Sequence, residues 1–379
     1  MNETAIYIHI PFCDHKCIYC DFYSIINYDN VSSYLASLKT EINYYSKKFS
    51  NDRKIISIFF GGGTPSYMEP QYIQQIIDIV KENFFVADEA EITLETNPGT
   101  VDKEKLIEFK KSGINRISIG VQSFDDDELK FLTRIHNSET AVKTVRDSFE
   151  SGIENISLDL IFNLPKQSKQ KWLSNLEKAV ALPIKHLSAY SLILEPGTIL
   201  NKMVMDGKVK MQSEEHDADL YEMTIDFLTQ NGYEQYEVSN FAKPGYQCIH
   251  NIAYWEYNDY IGFGTSAHSF VNGERWWNYS SLNFYNAAVK AKYNAVCGSE
   301  KLTDKQKLEE YVMLSLRSEG LDIDALKNRF DLNWFAENQK LITQLIEEKY
   351  LILTDSFLKL TPKGYAVCDE ILTKIVNRD

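Results

Sequence analysis

At 379 residues, with 44% hydrophobic and 25% charged residues, the chain has ample material for a large core and excludes the disordered class. A formal net charge of −14 and a pI near 5.1 oppose non-specific binding to phosphate backbones or anionic lipid. The longest apolar runs, such as "IISIFF" at 55–60, fall far short of the roughly 20 residues that a membrane span needs, leaving room only for peripheral membrane contact.

The opening "MNETAIYIHIPF" lacks a positive n-region and an apolar core of signal-peptide length, so a cytoplasmic protein is expected. From there to about residue 195, strand-like runs alternate with amphipathic helical stretches: "AIYIHI", "KIISIFF", "EITLE", "INRISIGV", "NISLDLIF" and "HLSAYSLIL". Six such βα units predict a parallel sheet, either a barrel or a doubly wound sheet. Residues with chemical capacity accompany every run: cysteines after the first, "GGGTP" after the second, Glu95 and Asn97 after the third. Gln122 follows the fourth run, Asp159 lies in the fifth, and Tyr190 and Glu195 lie near the end of the sixth. Function spread over all the strand ends favours a barrel, because a doubly wound sheet concentrates it at one switch point. The expected fold class is therefore α/β, with a partial (β/α)6 TIM-like barrel over residues 1–195.

Beyond 195 the rhythm stops, and a stretch rich in aromatic, Gly and Asn residues predicts a loop-rich barrel extension over 196–298, covering a site. Residues 299–379 read as three helices and then a hairpin around Asp355 and Ser356, a small winged-helix-like domain. With 12 Lys and Arg against 14 Asp and Glu in 301–379, that domain is not expected to bind nucleic acid.

Cys13, Cys17 and Cys20 form C-x3-C-x2-C, half of the six cysteines within eight residues. In a reducing compartment such a cluster points to metal or redox chemistry rather than to a disulfide. Structural zinc takes four ligands, and His9 or His15 would complete only an awkward single-loop cage. Ferredoxin clusters take four cysteines, whereas position 22 is Phe22. Three thiolates on a cubane leave one iron open to a substrate or cofactor.

C-x3-C-x2-C after a first barrel strand, with "GGGTP" after the second, resembles the radical S-adenosylmethionine superfamily. The resemblance implies a [4Fe–4S] cluster on Cys13, Cys17 and Cys20, with S-adenosylmethionine chelating the open iron. "YIHIPFC", "GGGTP", "ETNP", "GVQSF" followed by Arg134, and "LDLIFNLPKQ" are similar to the coproporphyrinogen dehydrogenase and HemW branch. By that match Tyr7 packs near the cluster, the Tyr19 backbone touches adenine, and Gly61, Gly62, Gly63 and Thr64 approach the methionine. Glu95, Gln122, Arg134 and Asp159 would hold the rest of the cofactor. The residue types suit it physically. Glycines admit a close backbone approach, carboxylates accept from ribose hydroxyls, and a guanidinium pairs with a carboxylate.

Within the branch, oxygen-independent coproporphyrinogen III dehydrogenases resemble C-x3-C-x2-C-x-C and carry a long N-terminal arm. Here Phe22 stands at the last cysteine position and Cys13 lies close to the terminus. "HNIAYW", with His250, Asn251, Tyr254 and Trp255, matches the HNxxYW signature of the HemW haem chaperone family, as do "EVSNFAKPG" and "TRIH" through His136. An imidazole is a common axial ligand of haem iron, flanking aromatics offer flat apolar surface, and Cys248 is an alternative thiolate. The resemblance implies haem as cargo, acceptor haemoproteins, and an electron donor such as flavodoxin or ferredoxin; a homodimer is compatible with it. Radical decarboxylation of coproporphyrinogen propionates is the alternative function, and a cluster-sensing regulator using the C-terminal domain is a third.

Overall fold

The computed structural model describes residues 1–26, 28–331 and 334–376. Six strands lie side by side in chain order: β1 (Asn2–Ile10), β2 (Arg53–Gly62), β3 (Phe85–Thr96), β4 (Arg116–Gln122), β5 (Asn155–Phe162) and β6 (His186–Ser191). Each pairs in parallel with its neighbour. Helices Val31–Phe49, Pro70–Asn83, Lys103–Lys111, Ser138–Glu150 and Lys169–Val180 make the main crossovers. They start where side chains satisfy free amides: Asp102, Asn137 and Ser168 accept from the backbone N–H of Lys105, Thr140 and Lys171. Ile73, Ile76, Ile77 and Val80 form the apolar stripe that seats the second of these helices on the sheet. This α/β fold with a large parallel sheet agrees with the class expected from the sequence. Among the described residues the sheet is open, running from one free edge to the other.

The stretch 196–298 carries more regular structure than its composition suggests. Helices Ile199–Met205 and Glu214–Gln230 lead to β7 (Glu234–Gln235) and β8 (Asn240–Ala242), which extend the β6 edge antiparallel. After helix Ile249–Trp255 the chain reaches the opposite edge. There β9 (Asp259–Gly264) lies parallel to β1, and β10 (His268–Val271), β11 (Glu274–Asn278) and β12 (Val296–Lys301) continue antiparallel. β9 evades pattern reading because Gly262 and Gly264 interrupt its apolar residues. A Cβ at Gly262 would lie 2.1 Å from the His268 carbonyl oxygen, so the close approach of β10 demands glycine.

Two buried polar side chains tie β9 to the rest of the fold. Arg53, 1% exposed, donates to Asp259 at 2.6 Å and to Thr4 Oγ1 at 3.1 Å, spanning β2, β1 and β9. Glu41, fully buried, accepts from the Gly264 N–H at 2.9 Å, from Asn278 Nδ2 at 2.7 Å and from the Tyr285 hydroxyl at 2.7 Å.

The C-terminal elements follow the helix, helix, helix, hairpin order: Asp304–Leu316, Ile323–Phe330, Trp334–Glu347, then β14 (Leu351–Thr354) and β15 (Phe357–Leu360), with β13 (Leu321–Asp322) beside β15. Asp355, at φ 53, makes the turn. Their core, around Leu316, Leu326, Leu345 and Leu358, also takes in Tyr257 and Phe270 of the sheet extension. Among the described residues no helix is long and apolar enough to cross a membrane.

Asp259→Ala strands the buried Arg53 guanidinium, and urea unfolding should register a loss of about 3–5 kcal/mol. Glu41 has its carboxyl pushed up to about 7 by burial, against the lowering effect of its three donors. Between the ordinary 4.5 and about 7 the folded state holds a proton that the unfolded chain releases, so this group's contribution is present at low pH and is lost as pH rises through that window. Thermal unfolding across the window should show that fall shrinking in Glu41→Gln.

Candidate functional site

The first loop leaves β1 and is stitched at once to the glycine turn after β2. The Gly63 N–H donates to the Ile10 carbonyl and the Thr64 N–H to the Phe12 carbonyl, both at 2.8 Å. The Cys13 N–H bonds the Ile25 carbonyl at 3.0 Å, and the Cys20 N–H the Cys17 carbonyl at 3.3 Å. Cys13, Cys17 and Cys20 all line one cavity of about 440 Å3. Burial pushes the Cys13 and Cys20 thiols up, with hydrogen bonds from Thr64 and from the Phe22 backbone, respectively, working against it.

Polar groups from four further strand ends line the same cavity. Glu95 accepts from the Gly62 N–H at 3.1 Å. Burial, and then the charge of Asp159, pushes the Glu95 carboxyl up to about 8, so near neutrality it can donate as well as accept. Asp159 accepts from Ser118 Oγ at 3.2 and 3.3 Å, and burial raises its pKa against Ser188 and Arg116. Gln122 sits at φ 69, a left-handed conformation uncommon outside glycine, at a bulge between β4 and β5. Arg134 donates to Asn97 Oδ1 and to the Gly120 carbonyl at 2.7 Å, and to Cys17 Sγ at 3.5 Å. Tyr19 lines the cavity, its hydroxyl pKa raised by burial and lowered in part by Arg134. Thr64 lies between Cys13 Sγ, at 3.1 Å, and Asn97 Nδ2, at 2.8 Å. Gly62 and Gly63 line the cavity, whereas Gly61 lies behind it, where a Cβ would strike the Tyr7 ring at 2.9 Å and Glu95 at 3.2 Å.

Two residues were undervalued by sequence reasoning. Asn97, noted only as a strand-end residue, joins Thr64 to Arg134, and Ser118 holds Asp159; the "ETNP" motif was the available signal for the first, while the second carried none. Tyr7 lies outside the lining of the cysteine cavity. It faces an adjoining groove of about 940 Å3, with its hydroxyl 3.2 Å from His9 Nδ1. Asp21 and Phe22 line both spaces, and Phe22 is 62% exposed.

His250 and Cys248, expected as candidate haem ligands, are both turned inward, outside the lining of the groove. Helix Ile249–Trp255 packs on β2 and turns His250 inward, 2% exposed, with Nδ1 at 2.9 Å from Ser57 Oγ and Nε2 at 2.9 Å from the Tyr254 hydroxyl. Its ring stacks on Phe59 at 4.8 Å, and burial lowers its pKa to about 3. Cys248 Sγ donates to Glu91 Oε1 at 3.4 Å, and burial pushes the thiol up to about 12. Both side chains pin the helix to the sheet. Asn251 and Trp255 are half-buried outside the groove lining, so Tyr254 alone of the five residues faces it.

The donor set suits a cluster. Cys13, Cys17 and Cys20 line one cavity, and a cubane takes one thiolate at each of three irons. His15 Nε2 and Arg134 Nε, buried without partners, leave donor capacity in side chains that line the cavity. Gly63 is a close fit: a Cβ there would lie 2.6 Å from the Phe12 carbonyl oxygen and 3.0 Å from that of Ile10. Gly63→Ala should therefore cost about 1–3 kcal/mol in urea unfolding and lower the iron retained after anaerobic reconstitution, measured by iron assay.

Residues 7–179 match the Radical SAM superfamily and residues 302–367 the HemN C-terminal domain. The chain is 33% identical to "Heme chaperone HemW" of Lactococcus lactis subsp. lactis (strain IL1403), over 100% of this chain and 98% of that one. It is 33% identical to the protein of the same name from Bacillus subtilis (strain 168), over 97% of each. For that of Escherichia coli (strain K12) the identity is 40%, over 72% of this chain and 71% of the other. Coproporphyrinogen III oxidase (HemN) from Escherichia coli, a radical SAM enzyme, superposes with a TM-score of 0.85 at 26% identity, over 99% of this chain and 90% of that one. Superfamily membership implies a [4Fe–4S] cluster and S-adenosylmethionine. With relatives matched from end to end, the chain belongs to the HemW haem chaperone family of radical S-adenosylmethionine proteins.

Proposed function

We propose that this chain takes up haem and delivers it to acceptor haemoproteins. In this reading Cys13, Cys17 and Cys20 hold a [4Fe–4S] cluster, and S-adenosylmethionine lies against Tyr19, Gly62, Gly63, Glu95, Gln122, Arg134 and Asp159. The carrying observation is the convergence of three thiols and these strand-end residues on one cavity, beside an aromatic groove, in a chain related end to end to proteins named haem chaperones. When bound, cluster and cofactor supply one-electron cleavage of a sulfonium bond. The chain's own residues bind and orient. Arg134 faces a carboxylate, Glu95 and Asp159 face hydroxyls, and the Gly62–Gly63 backbone faces an amine. In the functional division we assign, residues 1–195 hold the cofactor, 196–298 hold haem, and 299–379 form an appended domain. Reduction would come from a flavodoxin or ferredoxin in the cytoplasm, and a homodimer is compatible with this reading.

A second reading, oxidative decarboxylation of coproporphyrinogen propionates, is favoured by the close superposition on coproporphyrinogen III oxidase. Phe22 at the position of that enzyme's last cysteine weighs against it. The test is anaerobic cluster reconstitution, followed by titration with haem and with coproporphyrinogen III. The expected result is saturable haem uptake, transfer to an apo-haemoprotein and no decarboxylated product. Absence of haem uptake overturns the proposal, and S-adenosylmethionine-dependent decarboxylation establishes the second reading instead.

A further inference from the structure

The groove that adjoins the cysteine loop has a floor made by three strands. On β10, residues 268 and 270 share a face, and the register sets His268 opposite Trp277 and Phe270 opposite Arg275 on β11, with Tyr260 of β9 opposite Phe270. All five side chains therefore lie on one flat, largely aromatic face. Gly298 of β12 keeps it flat: a Cβ there would lie 2.4 Å from the Trp277 ring. Phe22 and Tyr254 stand at its other walls. A volume of about 940 Å3 is within the range of cofactor pockets.

The chain has seven histidines. The rings of His9, His136, His186, His216 and His250 each carry a hydrogen bond within the fold. His15 lines the cysteine cavity. His268 is left: it is exposed, lines the groove, and stacks beside Trp277 at 5.9 Å and 24°, with no hydrogen bond or ion pair of its ring among the described residues. Most of the tyrosine hydroxyls of the groove are committed. The hydroxyls of Tyr7, Tyr23, Tyr254 and Tyr257 engage His9, the Leu282 N–H, His250 and Glu310, respectively.

We propose that this groove seats a planar iron tetrapyrrole and that His268, rather than His250, is its axial ligand; the inference rests on the haem-carrier reading above. A neutral imidazole donates its lone pair to ferric iron and displaces water from it. Partial desolvation, and then the nearby Arg275 guanidinium, lower the His268 pKa and so keep that lone pair available near neutral pH.

The test uses the full chain with its cluster reconstituted and held in the oxidised, EPR-silent state. Ferric haem and iron-free protoporphyrin IX are titrated separately into wild type, His268→Ala and His250→Ala, with iron content and circular dichroism confirming each fold. His268→Ala should weaken ferric haem binding at least about tenfold, change the haem EPR spectrum, recover it with added imidazole, and leave protoporphyrin binding nearly unchanged. Folded His250→Ala should keep the wild-type haem spectrum. An unchanged spectrum in His268→Ala, or its loss only in His250→Ala, overturns the assignment of the ligand while leaving the carrier reading intact. Failure of the wild type to bind either tetrapyrrole overturns both.

Discussion

A closed circuit of short polar contacts runs through the cysteine cavity: Cys13 to Thr64, Thr64 to Asn97, Asn97 to Arg134, and Arg134 back to Cys17. Cys13, Thr64 and Asn97 follow three successive parallel strands and Arg134 follows the short helix Asp126–Phe131 after the fourth, so the loop that carries the thiols is held by the rest of the fold rather than by its own short sequence. A loop after β1 has too few side chains of its own to fix three sulfurs in space. The sheet supplies the rest, and the left-handed backbone at Gln122 is part of the same arrangement, an unfavourable conformation held by its surroundings.

The same logic operates at the other edge of β1. β9 is short and interrupted by glycines, yet Arg53 and Glu41 reach it from β2 and from the first long helix through buried hydrogen bonds. Once β9 is fixed, β10 and β11 follow by ladder pairing, and their register alone brings His268, Trp277, Phe270 and Arg275 to one face. The groove is thus a product of strand register, placed beside the cysteine loop because β1 borders both.

The parallel strands were legible because each reads as a short run rich in apolar and β-branched residues that recurs at regular spacing between helical stretches, and because a parallel α/β sheet carries its reactive side chains towards the strand ends. Cys13, Cys17, Cys20, Glu95, Gln122, Arg134 and Asp159 could therefore be named before any geometry was known. The edge strands were not legible. β9 is broken by Gly262 and Gly264, and β10 to β12 are short antiparallel segments whose aromatics look like loop composition. Nor could the direction of His250 be read. A seven-residue helix with His, Tyr and Trp offers several plausible buried faces, and only its packing on Ser57, Phe59 and Glu91 decides which side chains turn inward. Asn97 went unassigned because its importance lies in two partners far away in sequence.

Phe22 forms part of the boundary of both the cysteine cavity and the aromatic groove, and its ring is 62% exposed. A turn of the ring that widened one space would narrow the other. Occupants of the two spaces would then be linked through this ring, and by thermodynamic reciprocity whatever factor one imposed on the affinity of the other would be returned in equal measure. A cysteine at this position would trade that partition for a further sulfur donor. With a phenyl ring in place of a thiol, this position is a wall shared by two compartments.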